Sequence, residues 1–247
     1  MSTRADPVLA TLTAAVRAAR RHLRARRTSL WVLVLTVAIG TGVPAWTQAR
    51  SSARYPVLAQ DLAVAHAVLD ELEVRTRPPP QPYDRAAFGQ AWADVDRNGC
   101  DTRNDVLRRD LDDPVTKTGT RGCLVLSGVL DDPYTGRRLV FERGPSSADV
   151  QVDHVVALGD AWVAGAAGWS GTARTAFAND PANLLAVEGG ANQDKGADDA
   201  SRWLPPNVGY RCAYAVRQVL VKSAYRLSVT RDERRALAHA LDGCVTS

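Results

Sequence analysis

Apolar positions along the chain fall into a few distinct patterns. Between residues 30 and 39 they run almost without interruption, inside an uncharged stretch that spans 28–49. From Leu58 they recur at spacings of four and three, through Leu62, Ala65, Leu69 and Leu72, which predicts an amphipathic helix. Arg77-Pro78-Pro79-Pro80-Gln81-Pro82 then reads as a stiff extended spacer. Residues 84–92 predict a short helix and 101–111 another, with Val106, Leu107 and Leu111 on one face. Residues 123–130 and 138–142 predict strands, and the turn-forming segment Asp131-Asp132-Pro133-Tyr134-Thr135-Gly136 between them makes the pair an antiparallel hairpin.

Farther along, Val150, Val152, Val155 and Val156 mark a strand over 150–158, and 160–169 predicts a helix. A second short strand closes at Ala186-Val187, before Gly189-Gly190 and a polar helix start. Residues 207–225 predict a long helix with Val216, Val219, Leu220 and Tyr225 on its inner side. Thr230-Arg231-Asp232-Glu233 is a capping box, and the helix it opens turns Leu237 and Leu241 inward. Few short strands among many helices, with no internal repeat, predict an α+β fold.

The amino-terminal pattern sets the compartment. Arg17, Arg20, Arg21, Arg24, Arg26 and Arg27 precede the uncharged stretch, the positive-inside arrangement of an export segment. Its apolar centre suits a cleaved signal peptide, whereas its full length is just enough to cross about 30 Å of hydrocarbon as an anchor. The expected division is a basic cytoplasmic tail (1–27), a signal anchor or signal peptide (28–49), the amphipathic helix and proline-rich linker (50–82) and one catalytic domain (83–247). That domain lies outside the cytoplasm, membrane-tethered or secreted.

Charge reinforces the division. The whole chain is +4 at pH 7, yet seven arginines and one aspartate fall in residues 1–49, so the remainder is at net −2. The basic balance therefore says nothing about nucleic-acid binding. Any basic groove must come from local clustering of Arg137, Arg138, Arg143, Arg174, Lys195, Arg202 and Arg211. The four cysteines, Cys100, Cys123, Cys212 and Cys244, all follow the export segment. An even number in a chain bound for an oxidising space predicts disulfides. Of three possible pairings, Cys100 with Cys123 and Cys212 with Cys244 join neighbouring elements. No C-x-x-C pair supports a zinc-thiolate site.

Asp153-His154, at the end of an apolar run, and Asn183 and Asn192, flanking the second strand, carry the candidate chemistry. A carboxylate and an amide oxygen suit a hard divalent cation. An adjacent imidazole takes a proton from water near neutral pH. His66 and His239, on amphipathic helices, are given no role.

These residues also carry a resemblance. Asp-His on one strand, Asn-Leu-Leu on the next and Asn-x-x-Lys-Gly opening a helix resemble the ββα-metal (His-Me) finger of the HNH endonucleases, in an HNN-type variant. Tyr83-Asp84-Arg85, Phe88-Gly89-x-x-Trp92, the segment from Gly99 to Asn104, Trp203-Leu204-Pro205-Pro206 and Tyr210-Arg211-Cys212-Ala213-Tyr214 resemble exported bacterial proteins of that family, over residues 72–244. The resemblance implies a finger embedded in a mostly helical, disulfide-stapled domain. It implies His154 as general base, Asp153 and Asn192 as ligands of one Mg²⁺ (or Mn²⁺), Asn183 as the residue that hydrogen-bonds and orients the imidazole, and Lys195 as a reach to phosphate. Asn192 in place of a final His favours a hard cation over Zn²⁺. Arg103 either contacts a phosphate or pairs with Asp101 or Asp105. The expected activity is metal-dependent hydrolysis of DNA with low sequence specificity. Its rivals are a nucleic-acid or envelope binding module on the same scaffold and a phosphoesterase acting on small substrates.

Overall fold

The computed structural model describes residues 54–74, 76 and 82–246. The basic tail, the export segment and most of the proline spacer lie outside the described residues. Among those that are described, no helix is long and apolar enough to cross a membrane.

Helix α1 (Ala59–Glu71) leads through a parallel bridge, Val74 to Val229, into the domain. After a 3₁₀ turn at Arg85–Phe88 come α2 (Thr102–Asp110), β1 (Asp112–Thr116), β2 (Val125–Asp131) and β3 (Arg138–Glu142). Next come β4 (Val150–His154), α3 (Leu158–Ala164), α4 (Gly171–Ala178), β5 (Leu184–Glu188) and α5 (Gly189–Lys195). Helices α6 (Arg211–Ala224) and α7 (Arg231–Asp242) close the chain. The architecture is the expected α+β, with an antiparallel three-stranded sheet β1-β2-β3 and a two-stranded antiparallel sheet β4-β5.

Several elements differ from expectation. The hairpin gains a third strand, β1, whose Asp-Asp-Pro start reads as a turn; it is an irregular edge with register shifts around Val115 and Asp113 at φ +48°. The 84–92 helix shrinks to one 3₁₀ turn, stopped by Gly89 at φ +82°, where a Cβ would lie 2.3 Å from Thr175 Oγ1. The 150–158 strand ends at His154, and the expected 160–169 helix starts earlier and breaks at Gly165. Helix α4 has no apolar repeat to announce it; Arg174 holds it through bonds to the carbonyls of Ala87 (2.9 Å) and Trp169 (2.5 Å).

The core is shared among four groups of side chains around the finger, one of them Phe88, Val156, Leu158, Ala161 and Phe177. Ala65 and Leu69 of α1 pack with Ala215 and Val219 of α6 and Leu237 and Leu241 of α7. Val106 and Leu107 of α2 join Leu130, Phe141, Val150, Leu184 and Ala186, binding the two sheets together. Tyr134, Tyr210 and Tyr214 surround Val155 and Val187. Both expected disulfides are formed, Cys100–Cys123 and Cys212–Cys244. Each removes about 3–4 kcal/mol of unfolded-state entropy on a loop-closure argument, and neither lies in the finger.

A second buried polar cluster locks the helical layer. Lys222 of α6, without solvent exposure, lies 2.7 Å from Asp160 of α3 and 2.7 Å from Glu233 of α7, and Asp199 completes a ring of three buried carboxylates. Burial alone would lower the Lys222 pKa, but Asp160 and Glu233 raise it above its ordinary value. Glu233 is pushed up to about 7, by burial first and, against the pull of Lys222, by Asp160 and Asp199. A carboxyl whose folded pKa exceeds its unfolded value binds its proton preferentially when folded, so its contribution to stability falls as pH rises from about 4.5 to about 7. Urea unfolding of Glu233→Gln beside the wild type across this window checks the sign. The variant should gain stability relative to the wild type as pH goes from 5 to 7, and a constant difference would remove Glu233 from the titration.

Candidate active site

Strands β4 and β5 pair in register, Asp153 opposite Leu185 and His154 opposite Leu184, and α5 packs back on both. The turn into α5 is close: a Cβ on Gly189 would lie 2.3 Å from the Ala148 carbonyl, and Glu188 caps the helix by accepting from Ala191 N–H at 2.6 Å. This is the expected ββα unit, with Asp153 and His154 on β4, Asn183 in the turn just before β5, and Asn192 and Lys195 on α5.

Asp153 is buried and heavily donated to. Tyr134 O–H reaches Oδ2 at 2.6 Å, and Lys195 Nζ lies 3.0 Å from the carboxylate while also donating to the His154 carbonyl at 2.9 Å. Tyr134 is delivered by the β2-β3 turn, which Asp132 fastens by accepting from the backbone N–H of Glu188 at 3.0 Å. Burial, then the Asp153 charge, push the Tyr134 phenol well above its usual range, so it stays a donor.

The His154 ring is also buried. Its Nε2 lies 2.8 Å from the Ala178 carbonyl, a partner that accepts only, so Nε2 carries the hydrogen and Nδ1 is the basic nitrogen. Burial lowers its pKa to about 4; the Ala178 and Asp153 oxygens pull the other way, while Arg85 and Lys195 lower it further. The imidazole is therefore neutral at pH 7, the form a general base needs. Trp92 lies nearly parallel to it, at 14° and 6.1 Å between ring centroids.

Two expected contacts are corrected. Asn183 does not bond the imidazole: its Oδ1 accepts from Val156 N–H (2.8 Å), its Nδ2 donates to the Val156 carbonyl (3.1 Å) and its own carbonyl accepts from Val155 N–H (2.7 Å). The chain leaving His154 is thereby held as if β4 continued, and Ala178 takes the ring. Arg109 and Arg217 clamp the Asn183 turn from outside, both donating to the carbonyls of Pro181 and Leu184. Lys195, expected to reach a phosphate, has no solvent exposure, because the uncompensated Asp153 charge beneath it is the nearer anion.

The expected basic groove is likewise rearranged. Arg143, Arg174 and Arg211 spend their donors on carbonyls of Val125, Trp169 and Pro205, and Arg137, Arg138 and Arg202 are exposed beside carboxylates. Arg103 pairs with neither Asp101, which caps α2, nor Asp105, which binds Arg108. Its guanidinium lies over Phe141 at 5.8 Å, with its pKa lowered by burial and then by Arg143, and it has no hydrogen bond or ion pair among the described residues.

Asn192 donates from Nδ2 to Gln151 Oε1 at 2.8 Å, which leaves Oδ1 as the amide atom without a partner among the described residues. With Asp153 it offers a hard, all-oxygen donor set of the kind Mg²⁺ prefers. The donor chemistry fits the cation, with Lys195 the competing charge at the carboxylate.

Over residues 101–240 the chain matches the C-terminal domain of the GmrSD restriction endonucleases. The chain belongs to this HNH-type nuclease family. The family segment holds the whole finger together with Arg103 and Tyr134, while Trp92 and the segment 82–100 precede it. An uncharacterized secreted protein of Arthroderma benhamiae is 39% identical over 184 residues, which cover 74% of this chain and 85% of that one. No solved structure matches.

Tyr134 and Ala178 escaped the sequence reading, Tyr134 because it lies in a turn and Ala178 because only its backbone acts. Asn183 is the residue whose structural work is most easily measured. Asn183→Ala leaves the buried N–H and C=O of Val156 unpaired, a cost of about 1–3 kcal/mol. Hydrogen exchange at the Val156 amide should accelerate accordingly, and unchanged protection there would show that Asn183 does not brace this segment.

Proposed function

We propose that this member of the family is a divalent-metal-dependent endonuclease that hydrolyses phosphodiester bonds in DNA with low sequence specificity and acts outside the cytoplasm. The observation that carries the reading is the His154 ring, neutral and held through Nε2 with Nδ1 as its basic nitrogen, directly after a buried carboxylate on the first strand of the finger. His154 takes a proton from the attacking water at Nδ1. The water oxygen bonds to phosphorus, the ester P–O bond breaks, and the departing oxygen is protonated from solvent. The Ala178 carbonyl and the neighbouring Asp153 charge favour the imidazolium as it forms. Asn183 acts as a positioning residue through Val156. Asp153 and Asn192 would hold the Mg²⁺, whose chemistry there is to neutralise charge developing on the phosphate and its leaving oxygen. Arg103, a guanidinium with no close ion pair among the described residues, supports contact with the phosphate backbone.

Export is supported by the arginine-led apolar segment, by two disulfides and by a relative named as secreted. Anchored and released forms are both compatible with that segment.

Incubating the full-length protein with supercoiled plasmid, with Mg²⁺ or with a chelator, tests the activity; the expected result is nicking and linearisation only with metal. His154→Ala should lower the rate on the order of a hundred- to ten-thousandfold while Mg²⁺ binding by calorimetry persists. More than a tenth of wild-type rate in that variant would take the base role from His154. In Mg²⁺ titrations of cleavage, Asn192→Ala should shift the metal midpoint upward and recover rate at high concentration, whereas Asn183→Ala should lower turnover with little shift. The reverse order would overturn this assignment of the two asparagines.

A further inference from the structure

A cavity of about 260 Å³ opens beside His154, between the segment around the 85–88 turn and the end of α4. Arg85, Phe88, Trp92 and Asn179 line it. Its volume is just below the usual ligand range of about 300–1,000 Å³, room for one ring system. Three features need an explanation that the hydrolytic chemistry does not supply. Trp92 is held at φ +59°, a conformation a bulky residue adopts only under constraint, and it is half-buried with its ring presented beside the imidazole. Asn179 is wholly buried, its Nδ2 donating to the Thr175 carbonyl at 2.9 Å, yet its Oδ1 has no hydrogen-bond partner. A buried acceptor left unpaired costs about 1–3 kcal/mol, so such atoms are rare and call for a donor. Arg85 adds a guanidinium to the same wall.

An aromatic face, an orphan acceptor and a nearby cation are together complementary to a nucleobase with its phosphate. A base offers a π-face for stacking and amino or ring N–H groups for an amide oxygen. We propose that this cavity is a nucleobase subsite that takes one unstacked base of the strand being cut. The base stacks on Trp92 and carries its phosphate toward Arg85, and Asn179, whose Oδ1 is closed to the cavity in this structure, turns that atom to the base as it enters. The inference rests on the phosphodiesterase reading and deepens it. A base within a duplex cannot enter such a cavity without leaving the stack, so single-stranded or locally opened substrate is preferred.

An abasic scan tests the proposal independently of turnover. Fluorescently labelled single-stranded oligonucleotides, each with one tetrahydrofuran abasic site, are titrated with the full-length protein in chelator, and binding is read by anisotropy. One position should prove sensitive, its abasic replacement weakening binding about tenfold, as loss of one base–aromatic stack does. Trp92→Ala should weaken the intact strand to the same extent and make that position indifferent, and Trp92→Phe should restore most of the binding. With Mg²⁺ added, the cut should fall at a fixed offset from the sensitive position. A scan with no sensitive position in the wild type overturns the subsite whether or not Trp92→Ala folds, as does a Trp92→Ala loss that adds to the abasic loss. If strands are cut without a sensitive position, the hydrolase reading stands and the subsite falls. A sensitive position without cutting sustains the subsite and removes the hydrolase.

Discussion

The finger hangs on one buried charge, the Asp153 carboxylate. It sits buried near the end of β4, and it is sustained by the Lys195 ammonium and the Tyr134 hydroxyl. Removing one partner of such a pair leaves a charge without compensation, at about 3–5 kcal/mol. Lys195 does more than neutralise: by donating to the His154 carbonyl as well, it fixes α5 against β4 at Asp153 and His154. Tyr134 requires the β2-β3 turn, and that turn requires Asp132 on the Glu188 amide, so the three-stranded sheet is structurally answerable to the finger.

Around this charge the protein separates support from reactivity. Asn183, Arg109 and Arg217 act on backbone atoms of the segments that flank the finger strands, and Ala178 acts through a carbonyl. Among the described residues His154 and Asn192 keep one side-chain atom each outside the network, Nδ1 and Oδ1. Farther out, Lys222 with Asp160 and Glu233 ties α3, α6 and α7 without entering the site.

Much of this was legible in the sequence. The β2-β3 hairpin, the Thr230 capping box and both disulfide pairs follow from local chemistry and spacing, and the order of Asp153, His154, Asn183, Asn192 and Lys195 across the finger follows from the family resemblance. What stayed hidden depends on tertiary geometry. Asp112-Asp113-Pro114 is a strand because β2 pairs with it, against its own propensity. Helix α4 is tied by Arg174 to the 85–88 turn and to the Trp169 carbonyl, contacts that no local pattern announces. Lys195 turns inward because a buried carboxylate outcompetes solvent, and Asn183 meets Val156 because the chain leaving His154 bends past it. Nothing in the one-dimensional pattern distinguishes an amide that orients a ring from one that braces the backbone beside it.

The packing of α1 against α6 and α7, together with the bridge from Val74 to Val229, joins the first described helix to the last. Glu233, on α7, supplies one of the partners of the ammonium on α6, and Cys244 closes onto Cys212 just beyond it. A ribosome delivers these segments some 170 residues apart, counting from Ala59 to Arg231. The helical shell that seats α3, and with it the cavity wall at Leu158, is therefore incomplete until α7 has emerged. Such a wiring delays assembly: until α7 is in place, Lys222 lacks Glu233 and the shell behind α3 stays open around a finger whose strands are already complete.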